Sequence, residues 1–232
     1  MKRRSCCIKE SGNKLEEASQ AEKAGAGYWE KGDYDSALQY YEKALAIFKE
    51  TGEQESAAEI LGNIGSVYIA KDEKDSAIKY FQEAALIFKE TGQKMGEARC
   101  LNNIGLTCIA RLDPEKALNH FLNALAVFRE LNSREDEAHQ LGNIGSSYRD
   151  MGEKNKALKY YRESLAIFKE TGHKMGEANE LSNVGYILAI KGDSYGALGY
   201  FKEALQLYQE LGAAAQAGMT QKNIDILSKR TI

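Results

Sequence analysis

An asparagine recurs every forty residues: Asn63, Asn103, Asn143, Asn183 and Asn223, with Lys23 at the matching place of the first copy. A carboxamide carries N–H donors and a carbonyl acceptor, so one side chain can pair with both the N–H and the C=O of an extended peptide. Asparagine is a mediocre helix former, because its side chain competes for backbone hydrogen bonds. Two roles are open to such a ladder. It grips a ligand, or it bonds neighbouring helices and holds a stack together, its recurrence then recording duplication.

Other chemistries have less support. His120 takes the place of Tyr40, Tyr80, Tyr160 and Tyr200, and His173 aligns with Gln93 in a turn. The histidines form no Ser-His-Asp, Cys-His or metal-ligand pattern, so no enzyme, metal or cofactor is expected. The glycines of GAGYWEKG follow no strand and make no phosphate loop. Cys108 stands where other copies carry Tyr28, Tyr68 and Tyr148, and reads as a small core residue. Cys6 and Cys7 are adjacent, a poor arrangement for a disulfide or a zinc site. Reduced thiols fit better than S-acylation beside the basic residues.

The chain has 232 residues, 43% hydrophobic and 28% charged, and a net charge of −3. No basic excess is available to neutralise phosphates, so nucleic acid is not an expected partner. No apolar run reaches the roughly 18 residues of a membrane span. The opening MKRRSCCIKE has no apolar stretch after its basic residues and does not resemble a secretory signal. The expectation is a cytoplasmic protein with a peptide or protein partner and no membrane partner.

The elements that must position the ladder are visible in the same period. LGNIGSVY, LNNIGLTC, LGNIGSSY and LSNVGYIL start at Leu61, Leu101, Leu141 and Leu181, and AEKAGAGY at Ala21 is a looser copy. Each is followed by a second block, such as AIKYFQEAALIFKETG from Ala77. Self-similarity at a fixed period marks a stacked repeat array. Apolar residues three or four apart make each block an amphipathic helix, here helix A and helix B. Gly32, Gly152 and Gly192 end helix A, and Gly52, Gly92, Gly172 and Gly212 end helix B. Asp33, Asp113 and Asp193 are expected to cap helix B, while Glu73 and Glu153 favour its positive end. Pro114 fits the first turn.

Gly25, Gly65, Gly105, Gly145 and Gly185 stand inside helix A, at a cost of about 1 kcal/mol each against alanine. Close approach of helix B explains them, with Ala37, Ala77, Ala117, Ala157 and Ala197 as the expected small partners. Glu50, Glu90, Glu130, Glu170 and Glu210 lie where the helix dipole disfavours them, so each is expected to meet a cation or hydroxyl of the next hairpin. The expected division is a degenerate partial repeat over 1–20, five repeats over 21–60, 61–100, 101–140, 141–180 and 181–220, and the end of a capping helix over 221–232. Asp225 and Ser228 replace the glycine and tyrosine in that last helix. The opening is read as a naturally worn end, and self-association as weak or absent.

The pattern L-x-x-I-G-x-x-Y, then alanine, aromatic and alanine in helix B, resembles the tetratricopeptide repeat. It departs from the usual length of about 34 residues and lacks the proline after helix B. That is similar to the long-repeat branch of kinesin light chains and Pins-type proteins. The resemblance implies an all-α fold, a right-handed α-α superhelix of antiparallel hairpins, with helices A lining a concave face that binds peptide or protein. In tetratricopeptide proteins the position of the asparagine ladder often pairs with a peptide backbone. Packed helices lie about 8–10 Å apart and a strand rises about 3.3 Å per residue, so five rungs would hold roughly 12–15 residues. The same face is expected to carry Gly62, Asn102, Gly142 and Ser182, then Ser66, Leu106, Ser146 and Tyr186. Trp29, Ile69, Ile109 and Arg149 lie further on, and Arg99 and His139 precede the ladder by one turn. The expected ligand has an apolar segment and an acidic residue for Arg99 or Arg149. The row Glu59, Arg99, His139, Asn179 holds one cation, so the family's clamp for a C-terminal double carboxylate is not expected. A self-assembling scaffold, its asparagines only stabilising the stack, is the alternative function.

Overall fold

The computed structural model describes the backbone of residues 2–230 and the side chains of residues 13–229. Cys6 and Cys7 lie outside the described side chains. Among the described residues the chain is eleven α-helices and no strand. Helices A are α1 (Lys2–Glu30), α3 (Gln54–Ala70), α5 (Lys94–Ala110), α7 (Arg134–Asp150), α9 (Lys174–Ile190) and α11 (Ala214–Arg230). Helices B are α2 (Tyr34–Thr51), α4 (Lys74–Glu90), α6 (Pro114–Glu130), α8 (Lys154–Thr171) and α10 (Ser194–Glu210). The window that begins at Leu61 opens inside α3, whose first residue is Gln54. A period has no preferred starting point, so the repeat length was legible and its phase was not.

The chain divides into two compact units between Leu112 and Asp113. Within each unit every helix packs on the next, and helices A also touch: α3 meets α5 in the first unit, α7 meets α9 in the second. Each unit therefore carries a layer of helices A beside a layer of helices B, the α-α arrangement of a tetratricopeptide-like solenoid.

The small and large residues of the repeat divide the packing. Ala37, Ala77, Ala117, Ala157 and Ala197 are fully buried. The helix A glycines, however, face rings rather than these alanines. A Cβ on Gly65 would stand 2.7 Å from Phe81, one on Gly145 2.7 Å from Tyr161, and one on Gly185 3.1 Å from Phe201. The ring of helix B lies flat on the helix A backbone, and the alanine lets the helices close around it. Tyrosine pairs stack nearby at ring-centroid distances of 5.3 Å for Tyr28–Tyr40, 5.2 Å for Tyr68–Tyr80 and 5.4 Å for Tyr148–Tyr160.

Caps and turns fix the hairpins. Asp33, Asp113 and Asp193 accept from the backbone N–H groups of Ser36, Lys116 and Gly196, whereas Glu73 and Glu153 make no such bond. One methylene more carries the glutamate oxygen past the N–H that aspartate reaches. The turns are left-handed at Gly32, Gly152 and Gly192, and also at Asp72 (φ 61°), Leu112 (φ 60°) and Asn132 (φ 53°), where the glycine is gone. Geometry outlasts the residue that suits it.

Ion pairs join neighbouring hairpins: Lys71 Nζ reaches Asp35 at 2.6 Å, and Arg111 pairs with Asp75. Two of the helix B glutamates find cations elsewhere than expected. Glu50 pairs with Lys14 of α1 at 2.5 Å and Glu170 with Arg134 of α7 at 2.7 Å. In both cases the cation comes from helix A of the same hairpin, not from the next one, because antiparallel packing brings the start of A beside the end of B. On α11, Asp225 and Ser228 are exposed while Ile224 and Leu227 pack into the core.

Candidate functional site on the helix A faces

In the first unit α1, α3 and α5 line a half-open cavity of about 500 Å³. Asn63, Arg99 and Asn103 line it together with Glu22, Glu55 and Glu59. Gly62 also lines it, with open space where a Cβ would stand. A second cavity of about 310 Å³ shares Ser66 and Asn103 with the first, so the two adjoin. Its walls are apolar: Trp29, Ile69, Leu106 and Ala110. Ile69 and Leu106 are 41% and 46% exposed, high for large apolar side chains. The Trp29 ring leans on Tyr34 at 5.4 Å, which fixes its orientation.

In the second unit a cavity of about 480 Å³ holds Arg149, Asn183, Tyr186, Tyr208 and Asn223. Three of its polar groups are engaged. Arg149 Nε donates to Asp150 Oδ1 at 2.9 Å, and Tyr208 donates its hydroxyl to Asn179 Oδ1 at 2.8 Å. Asn183 Nδ2 donates to Glu180 Oε2 at 3.1 Å. Glu180 is buried, and its carboxylate occupies space left by Gly142, where a Cβ would stand 2.3 Å from Oε1. Burial pushes its carboxyl up to about 7, against the hydrogen bonds of Asn183 and Ser164.

The sequence-predicted residues therefore separate. Asn63, Asn103, Arg99, Trp29 and Ile69 line the first unit's cavities, and Asn183, Asn223 and Arg149 the second unit's. Asn143 and Ile109 are half-buried and line none of the three. His139 lies outside them too, its ring edge-on to Phe168 at 4.9 Å and to His173 at 5.7 Å. Desolvation, then the neighbouring His173, lowers the His139 pKa. His173 is a helix cap, its Nδ1 accepting from the Gly176 N–H at 3.0 Å.

Two groups of residues escaped the reading of the sequence. Glu55 is one turn from Glu59 on α3, and Glu22 joins them only once α1 and α3 are packed. Glu22 does, however, occupy the row of Gly62, Asn102, Gly142 and Ser182, which was already assigned to this face. Glu180 shares a row with the buried Ile60, Cys100 and Gln140, and its charge there was a visible departure. The charge expected of a ligand is also altered. Arg99 faces three carboxylates, and Arg149 is paired with Asp150.

Among the described residues no group of His, Cys, Asp or Glu side chains is arranged to hold a metal, and no helix is long and apolar enough to cross a membrane. Cys100 and Cys108 are buried, and burial pushes the Cys100 thiol up to about 12, far from a reactive thiolate.

The sequence pattern of the tetratricopeptide repeat matches residues 16–90, 56–130 and 96–170. Among solved structures, the apo form of RapI is similar over 88% of this chain and 74% of its own, at 23% identity and a TM-score of 0.82. BtubC from P. vanneervenii is similar over 88% of this chain and 91% of its own, at 20% identity and a TM-score of 0.75. Aspartyl phosphate phosphatase F from Bacillus subtilis is similar over 93% of this chain and 60% of its own, at 18% identity and a TM-score of 0.69. These likenesses are of fold. No curated protein sequence matches the chain.

Proposed function

The chain belongs to the tetratricopeptide repeat family, and from that premise we propose that it is a non-enzymatic interaction scaffold that docks an extended polypeptide segment on its helix A faces. Arrays of this kind present extended surfaces for protein partners. The observation that carries the reading is Asn103, a half-buried carboxamide shared by the two adjoining cavities of the first unit. Asn63 lines the same groove one repeat earlier. Each can satisfy a peptide unit that would otherwise lose its water. Partner capture with the wild-type chain against Asn63→Ala combined with Asn103→Ala tests this, followed by peptide mapping of whatever differs. Loss of a captured segment with helicity unchanged supports it; undiminished capture sinks it.

A stabilising role for the ladder is favoured at one place. Asn183 commits its amide to Glu180 of its own helix. Asn183→Ala is therefore expected to lower stability more than it lowers binding. For the self-assembling alternative, light scattering against concentration decides: a polymer would favour a scaffold of copies, a monomer a receptor. A reducing, cytoplasmic setting suits the buried free thiol Cys100. Carboxylates in the groove disfavour nucleic acid as the ligand.

A further inference from the structure

We propose that the groove of the first unit takes a segment carrying an apolar side chain and, beside it, a lysine or arginine. This deepens the docking reading and rests on it.

The apolar half is set by Trp29, Ile69, Leu106 and Ala110 around about 310 Å³ of open space. Such exposure of clustered large apolar side chains marks an interaction surface. A side chain of leucine or phenylalanine size would remove Ile69 and Leu106 from water. Asn103 and Ser66 belong to both linings, so a segment that passes them can reach both cavities.

That second cavity selects the charge. Glu22 of α1 and Glu55 and Glu59 of α3 line it against the single guanidinium of Arg99 on α5. Glu55 already accepts from Gln93 Nε2 at 2.8 Å, which leaves its charge unneutralised. Burial, then the charge of Glu59, pushes the Glu22 carboxyl up against the pull of Lys23. An incoming cation relieves a carboxylate whose ionisation is opposed by burial and a neighbouring charge. An acidic ligand would meet Arg99 only among three like charges, and complementary charge is what fixes the choice and register of a partner. The glycine at position 62 leaves room for a peptide backbone between the two halves.

The test uses the full chain and three fluorescent decapeptide pools. Each pool has alanine, serine and asparagine as filler. One carries a central leucine flanked by lysines, one the same leucine flanked by glutamates, and one lysines with no apolar residue. Fluorescence anisotropy at physiological salt is expected to show the leucine–lysine pool binding about tenfold or more tighter than either other pool. Glu22→Gln with Glu59→Gln should remove most of that preference with helicity unchanged. Glu22→Lys with Glu59→Lys should transfer it to the leucine–glutamate pool, a gain that misfolding cannot mimic.

Equal or tighter binding of the leucine–glutamate pool to the wild-type chain, weakened by Asn103→Ala, would overturn the charge assignment and leave the docking reading standing. Binding to no pool would overturn both. A leucine–lysine preference indifferent to Glu22 and Glu59 would overturn the site. So would concentration-dependent self-association that requires these glutamates, since the occupant would then be a second copy.

Discussion

Glu180 shows how one side chain can depart from a repeat and be accommodated. Its row is otherwise apolar, small or neutral, and its carboxylate fits because position 142 is glycine. With its folded pKa up at about 7, above the ordinary 4.5, the folded state holds a proton that the unfolded chain has released. Between those values stability must fall as pH rises, by on the order of 3 kcal/mol in total. Glu180→Gln keeps the acceptor for Asn183 and removes the titration. It is expected to match the wild type near pH 4 and to exceed it in denaturant midpoint near pH 8. Parallel profiles for the two proteins would show that Glu180 does not titrate in this window. Gly142→Ala should cost stability in the wild type and little in Glu180→Ala, since the Cβ and Oε1 compete for one space.

Within one helix the same residue type has opposite meanings. On α3, a Cβ at Gly65 would strike the buried ring of Phe81, whereas one at Gly62 meets nothing within 4 Å. Alanine gains about 1 kcal/mol of helix propensity at either place, but overpacking at Gly65 costs about 1–3 kcal/mol. Gly62→Ala should therefore raise the thermal midpoint and Gly65→Ala lower it; shifts of the same sign would remove the ring contact as the reason for the glycine. The turns make a related point. Leu112 is 90% exposed and held at φ 60°, a conformation that costs an L-residue about 1–2 kcal/mol. Leu112→Gly should stabilise by about 1 kcal/mol once glycine's extra chain entropy is set against that relief. No change in unfolding free energy would mean the turn is unstrained. Periodicity made the helices, the aspartate caps and the glycine turns legible. It left the turns at Asp72, Leu112 and Asn132 hidden, because there the signal residue is gone and only the neighbouring repeats' geometry dictates φ. It left the glycine's partner hidden too, since alanine and aromatic recur with the same period and only packing says which one touches.

At the scale of the whole chain, the face that carries the candidate site was legible and its charge was not. The ladder and the apolar Trp29 and Ile69 follow from the repeat register. The acidic character arises from Glu55 and Glu59, one turn apart on α3, and from Glu22 on α1, which joins them only through helix packing. The same nearest-neighbour packing governs how the molecule should come apart. Within each unit a helix packs mainly on the helices adjacent in sequence and more lightly on the next helix of its own layer, as Lys49 of α2 meets Glu83 of α4. Stability is then close to a sum of local and neighbour terms, and damage should stay local. Tyr161 is fully buried on Gly145, with its hydroxyl 3.0 Å from Ser146 Oγ. Tyr161→Ala removes a ring contact of a kind worth about 3–5 kcal/mol in a packed core. Hydrogen exchange followed by mass spectrometry should show protection falling most in α7, α8 and α9, with α1 to α3 close to wild type. A uniform loss from α1 to α11 would mean that the chain opens as one cooperative body and that neighbour terms do not describe it.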